Sequence, residues 1–107
     1  MAYIKAIAYY LPEEVITNEQ LNAEIGVVDL IAKTAGVETR RRAAVNETAS
    51  DLAVKAAEKL LLENSIKPSE IDFILFCTQS PDYVMPSSSC VIQNRLGIPT
   101  TAGAFDY

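Results

Sequence analysis

An α/β fold, with a mixed, mainly parallel sheet and covering helices, is the architecture this 107-residue chain predicts. Three features point to it. Tyr3–Tyr10 and Ile71–Thr78 are nearly all-apolar runs of strand length, Thr101–Tyr107 is a further strand-like run of small residues, and helical patterns lie between them. Buried strands alternating with helices suit a layered sheet with right-handed crossovers. Half of the residues are hydrophobic, which supports one small core. With no internal repeat, linker or low-complexity tract, residues 1–107 read as one domain or as one part of a larger one.

Tyr3–Tyr10 (Y-I-K-A-I-A-Y-Y) is apolar apart from Lys5 and reads as a strand buried over most of its length. Leu11-Pro12-Glu13-Glu14 ends it. Thr17, with Gln20 three residues later, makes a capping box for a helix with Leu21 and Ile25 one turn apart and Gly26 as its stop. Val28–Ala35 reads as a second short helix, closed by Gly36. Val37–Ala44 carries Arg40-Arg41-Arg42 and reads as an extended edge segment. Neighbouring strand residues point to opposite faces, so the three arginines do not converge on one ligand. A solvated edge that resists mispairing is preferred over an anion site.

Thr48-Ala49-Ser50-Asp51 caps the longest helix, which runs to Glu63. Ala53, Ala57, Leu60 and Leu61 give it a broad face of small and apolar residues suited to lying on a sheet. Asn64 stands at its C′ position, and Lys67-Pro68-Ser69-Glu70 is a turn. Ile71–Thr78 (I-D-F-I-L-F-C-T) then suits a central parallel strand covered on both faces. In the stretch Met85–Tyr107, Pro86 opens a helix and three serines offer hydroxyls to its first turn. Ser88, Ile92 and Leu96 share one stripe. Gly97 takes a left-handed C′ position, Ile98 folds back towards Ile92, and Pro99 forbids continuation.

The formal charge of −5 and a pI near 4.6 give no electrostatic footprint for nucleic acid. The start lacks a secretory-signal pattern and no apolar run approaches the length of a membrane span, so a cytoplasmic protein without a membrane partner is expected. The sequence contains no histidine, which removes the commonest general base and metal ligand; no metal or cofactor is expected. Cys77 and Cys90 read as two buried free thiols, a disulfide between them being the other option. Cys90 lies in the first turn of a helix, where the helix dipole favours a thiolate. Without a histidine to pair with it, it reads as structural, as does Cys77.

The run P-S-S-S-C-x-I-Q-x-x-L-G-I-P followed by A-F-D resembles the β-ketoacyl-acyl-carrier-protein synthase III family of thiolase-like condensing enzymes. Y-L-P-E-x-V-x-T-N and G-V-x-x-R nearer the start extend the resemblance over nearly the whole chain. It implies that residues 1–107 are the N-terminal part of a thiolase-like domain, incomplete by itself. The parent would be a homodimeric acyltransferase of fatty-acid or related biosynthesis, acting on acyl-coenzyme A or acyl-carrier-protein substrates by decarboxylative Claisen condensation. In the family the A-F-D strand leads into a turn bearing the nucleophilic cysteine. Since this chain stops at Tyr107, the resemblance places the catalytic residues beyond it, and the chain alone is expected to be inactive.

The resemblance also singles out residues within the chain. Asp106 reads either as a support for that cysteine turn or as a carboxylate bonded to nearby backbone N–H groups. Met85 matches a position from which an apolar side chain reaches across the dimer and closes the partner's acyl pocket; a staple contact within its own chain is the other reading. Leu30 and Thr34 stand where many members carry a tryptophan and an arginine for coenzyme A, so another acyl carrier is open. The rival readings are a hydroxymethylglutaryl-coenzyme A synthase, a secondary-metabolite ketosynthase, or a non-catalytic α/β association module.

Overall fold

The computed structural model describes residues 1–26 and 34–107. These form two compact units, one of Leu11–Asn46 and the other of Met1–Tyr10 with Glu47–Tyr107.

In the first unit, β1 (Glu14–Thr17) pairs antiparallel with β2 (Thr39–Arg42), with Ile16 opposite Arg40 and Thr17 opposite Thr39. Helix α1 (Asn18–Ile25) starts on the expected capping box. The Gln20 N–H donates to Thr17 Oγ1 at 3.2 Å, and Gln20 Oε1 accepts the Thr17 N–H at 2.9 Å. Gly26 stops the helix at φ 70°, a left-handed conformation that costs glycine little. The arginines of β2 bond to separate local partners, although Arg40 Nη1 is buried without one. Arg42 pairs with Glu24 at 2.5 Å, Arg41 donates to the Pro12 and Glu13 carbonyls, and Arg40 donates to Asn18 Oδ1 at 2.6 Å. Alternation therefore separates them, as the strand period requires. The short helix expected at Val28–Ala35 lies mostly outside the described residues, and so does Leu30; Thr34 and Ala35 are helical.

In the second unit, α2 (Ala49–Glu63) leads through a 3₁₀ turn (Pro68–Glu70) to β3 (Phe73–Phe76). Helix α3 (Ser88–Arg95) is the crossover to β4 (Gly103–Asp106), which pairs parallel with β3 from Phe73–Gly103 to Phe76–Asp106. Flanking bonds from Gly103 to Asp72, Tyr107 to Phe76 and Thr78 to Tyr107 lengthen the ladder towards the expected bounds. Helix α3 ends as its sequence requires. The Ile98 N–H reaches the Gln93 carbonyl at 3.0 Å, the Gly97 N–H reaches that of Asn94 at 3.2 Å, and Gly97 has φ 65°. Ile92 and Ile98 are both buried, which is the apolar clasp of this cap. Gln93 Nε2 then holds the turn into β4 by donating to the Pro99 and Ala102 carbonyls, each at 2.9 Å.

Three expectations need correction. Tyr3–Tyr10 forms no strand, and Tyr3, Ile4, Ile7 and Tyr9 are exposed. Apolar composition favours a strand only where a neighbour completes its hydrogen bonds. The strand β3 is covered on one face, since Phe73, Leu75 and Phe105 are exposed. Cys77 and Cys90 are free but exposed, not buried. Cys77 continues the parity of Phe73 and Leu75 onto the bare face, and Cys90 points away from the Ser88–Ser89–Ile92 side of α3. The expected face of α2 does meet the sheet: Ala57, Leu60 and Leu61 line an apolar cavity with Ile74 of β3 and Ile92 of α3, and Ser50 and Val54 are the most buried positions of the same side.

Candidate functional site

Parallel pairing puts the C-terminal ends of β3 and β4 side by side, with Phe76 opposite Asp106. Such strand ends are where open α/β sheets build their sites. The loop of residues 77–87 leaves this end of β3, and the first turns of α2 and α3 carry its polar partners.

Asp106 caps α3. Its Oδ2 accepts the Ser88 N–H at 2.6 Å and its Oδ1 accepts the Ser89 N–H at 2.7 Å. The N-cap residue, Ser87, makes no side-chain cap bond of its own, so the carboxylate of β4 replaces the expected serine hydroxyls. Ser88 and Ser89 are wholly buried. Burial works against the charge of Asp106, but the bonds from Ser89 and Ser88 prevail and hold its pKa below the ordinary value. These bonds tie the crossover helix to the strand end.

Asp82 does the same for α2 from within the loop. Its Oδ1 accepts the Ser50 N–H at 3.1 Å, and its Oδ2 accepts the Ser50 hydroxyl. Thr48 Oγ1 lies 2.9 Å from Asp82 Oδ2 and 3.0 Å from Asp51 Oδ2, and its one proton serves one of them at a time. Burial again opposes the charge, and the Ser50 and Thr48 bonds bring the net shift of Asp82 downwards. Asp51 completes the Thr48 capping box and takes an ion pair from Arg95 Nη1 at 2.7 Å. The Thr48 N–H, then Arg95, hold its pKa down to about 2.

The Asp82 N–H donates to Ser88 Oγ at 3.3 Å, and beyond it Tyr83, Val84 and Met85 stand out as an exposed apolar run. Met85 is 84% exposed and precedes a cis peptide bond to Pro86; it forms no buried staple. Cys90 accepts a bond from Ser87 Oγ at 3.1 Å. No group of three histidine, cysteine, aspartate or glutamate side chains that could hold a metal occurs among the described residues. Asp82 and Arg95 were not singled out by the sequence. The signal for Asp82 was a polar Ser50 on the inward side of a helix, which needs a partner from elsewhere.

No family model matches the chain. It is 43% identical to the β-ketoacyl-[acyl-carrier-protein] synthase III of Campylobacter jejuni subsp. doylei over 98% of its own length and 33% of the relative's. A solved 3-oxoacyl-(acyl-carrier-protein) synthase III superposes over 96% of this chain and 31% of its own, with a TM-score of 0.79 and 44% identity. Over nearly its whole length the chain is similar to β-ketoacyl-[acyl-carrier-protein] synthase III. The synthase III from Thermus thermophilus superposes over 98% of this chain and 32% of its own, with a TM-score of 0.83 at 35% identity. The fold is thus the thiolase-like one expected of that family. The chain spans about a third of the length of the relatives it matches. No helix among the described residues is long and apolar enough to cross a membrane.

Proposed function

We propose that this chain is the N-terminal segment of a cytoplasmic, homodimeric acyltransferase that performs the synthase III condensation of fatty-acid or related biosynthesis. The observation that carries this reading is the 43% identity maintained over 98% of the chain. In the reaction, a cysteine thiolate outside these residues attacks an acyl thioester of coenzyme A or of acyl carrier protein, and the carrier thiol leaves. Loss of carbon dioxide from a malonyl-carrier then gives a carbanion, which attacks the enzyme-bound acyl carbonyl and expels the cysteine thiolate. The nucleophile and its histidine and asparagine partners lie beyond Tyr107.

Two residues of this chain take part in that reading. Asp106, bonded to the start of α3, sets the end of β4 from which the cysteine turn departs. Met85 reaches the acyl pocket of the partner subunit, a role supported by its exposure at the tip of an apolar run. An unbranched thioether makes a softer pocket floor than an aromatic ring, so longer acyl chains are admitted. Thr34 offers neither charge nor a stacking face for coenzyme A, which leaves the acyl donor open. The full-length protein should release carbon dioxide from malonyl-carrier only when an acyl donor is present. In it, Met85→Phe should lower the hexanoyl-to-acetyl ratio of kcat/KM by about tenfold or more; an unchanged ratio, with fold and dimer intact, removes Met85 from the pocket.

A further inference from the structure

Asp82 belongs to no helix, yet both of its carboxylate oxygens are engaged at the start of α2. That helix already has a complete capping box in Thr48 and Asp51, so Asp82 adds a tertiary tie to a terminus capped by its own sequence. Its backbone is tied as well. The Asp82 N–H to Ser88 Oγ bond closes residues 82–88 into a loop with a fixed neck. Ser88 is in turn held through its own N–H by Asp106 of β4. A continuous chain of bonds therefore runs from α2 through Asp82 and Ser88 to β4. Its two serine links, Ser50 and Ser88, are 1% and 0% exposed.

The three residues that follow Asp82 have the opposite character, Val84 being 99% exposed and Met85 84%. An exposed apolar tip on a buried polar neck is an arrangement in which the tip's position is set by the neck. Only two residues separate Asp82 from Met85, and the chain bends at Val84 and Met85. So short a connection makes the anchoring of Asp82 the nearest fixed point for Met85 on its N-terminal side.

We propose that Asp82 is a positioning residue for acyl-chain selection: it pins the neck of the 82–88 loop and thereby places Met85. The inference rests on the reading of Met85 given above. A purely structural tie would lower stability when lost and leave selectivity alone, whereas a positioning residue couples energetically to Met85.

The test is a double-mutant cycle in the full-length protein, with Asp82→Ala, Met85→Phe and the double variant. The readouts are the hexanoyl-to-acetyl ratio of kcat/KM and the melting temperature. Met85→Phe is expected to lower the ratio about tenfold or more in the parent and by less than a third of that factor when Asp82 is alanine. Asp82→Asn, which keeps an acceptor for the Ser50 N–H, is expected to restore most of the coupling. An equal Met85→Phe effect in both backgrounds overturns the proposal and leaves the Met85 reading standing, even if Asp82→Ala lowers the melting temperature. No Met85→Phe effect in the parent overturns the Met85 reading, and this proposal with it. If Asp82→Ala does not fold, the same cycle with Ser88→Ala, which removes the bond at the loop neck, decides by the same criterion.

Discussion

Tyr3–Tyr10 and Phe73–Phe76 are both apolar runs of the same compact unit, and of the two only Phe73–Phe76 forms a strand. The strand has a neighbour supplied by its own crossover, β4, and a helix, α3, whose Ile92 is buried. The N-terminal run holds to α2 through side chains. Lys55 Nζ sits over the Tyr10 ring and pairs with Glu47 at 2.5 Å, and Lys59 Nζ sits over the Tyr9 ring. Hydrophobic content marks a segment for burial, but pairing and a covering layer decide whether it becomes a strand within the chain at hand.

That contrast can be broken most severely at Ile92. Ile92→Ala in the isolated chain leaves a cavity between α3 and the sheet and should cost about 3 kcal/mol, read from the denaturant midpoint at constant m-value. Next comes Asp106→Ala, which strips the Ser88 and Ser89 N–H groups of their acceptor. Two buried donors left unpaired should cost about 2 kcal/mol in the same measurement.

Acid should act on the same end of the unit. The folded-state pKa values of Asp51, Asp82 and Asp106 are all depressed. Their stabilisation is therefore complete above the ordinary carboxylate value of 3.8 and is lost as pH falls through the folded values, that of Asp51 being about 2. The unfolding midpoint should fall between about pH 4 and pH 2, and Asp51→Asn should flatten that fall. The smallest effect belongs to the N-terminal run. Ile7 is 79% exposed, so Ile7→Ala should change the stability of the isolated chain by less than about 0.5 kcal/mol. A loss near that of Ile92→Ala would show that the run is packed after all.

Much of this was legible in residues that speak locally. The capping boxes at Thr17 and Thr48 and the Gly97–Ile98–Pro99 stop depend on neighbours three to six residues apart, and each appears where the sequence places it. The parallel β3–α3–β4 unit was readable from two apolar runs and the helix between them. Features set by distant partners were not. Glu14–Thr17 carries no strand signal stronger than the capping box beside it, and becomes β1 because β2 pairs with it. The cap of α3 comes from Asp106, 18 residues after Ser88, although three serines at the helix start looked sufficient. Asp82 sits in a loop with no motif, and its role emerges only when the two helix starts converge on it. Cys77 lies in an apolar run and Cys90 follows three serines, yet both are on exposed faces in space, which strand parity and helix facing decide and composition does not.

Under the proposed acyltransferase function, the reactive thiol is expected outside residues 1–107. Intact-mass and peptide mapping after incubation with acetyl-coenzyme A, on the 107-residue chain and on the full-length protein side by side, tests it directly. No acetyl adduct is expected on Cys77 or Cys90 in either sample, and one stoichiometric adduct is expected in the full-length protein on a cysteine beyond Tyr107. Stoichiometric acetylation of Cys90 would contradict it.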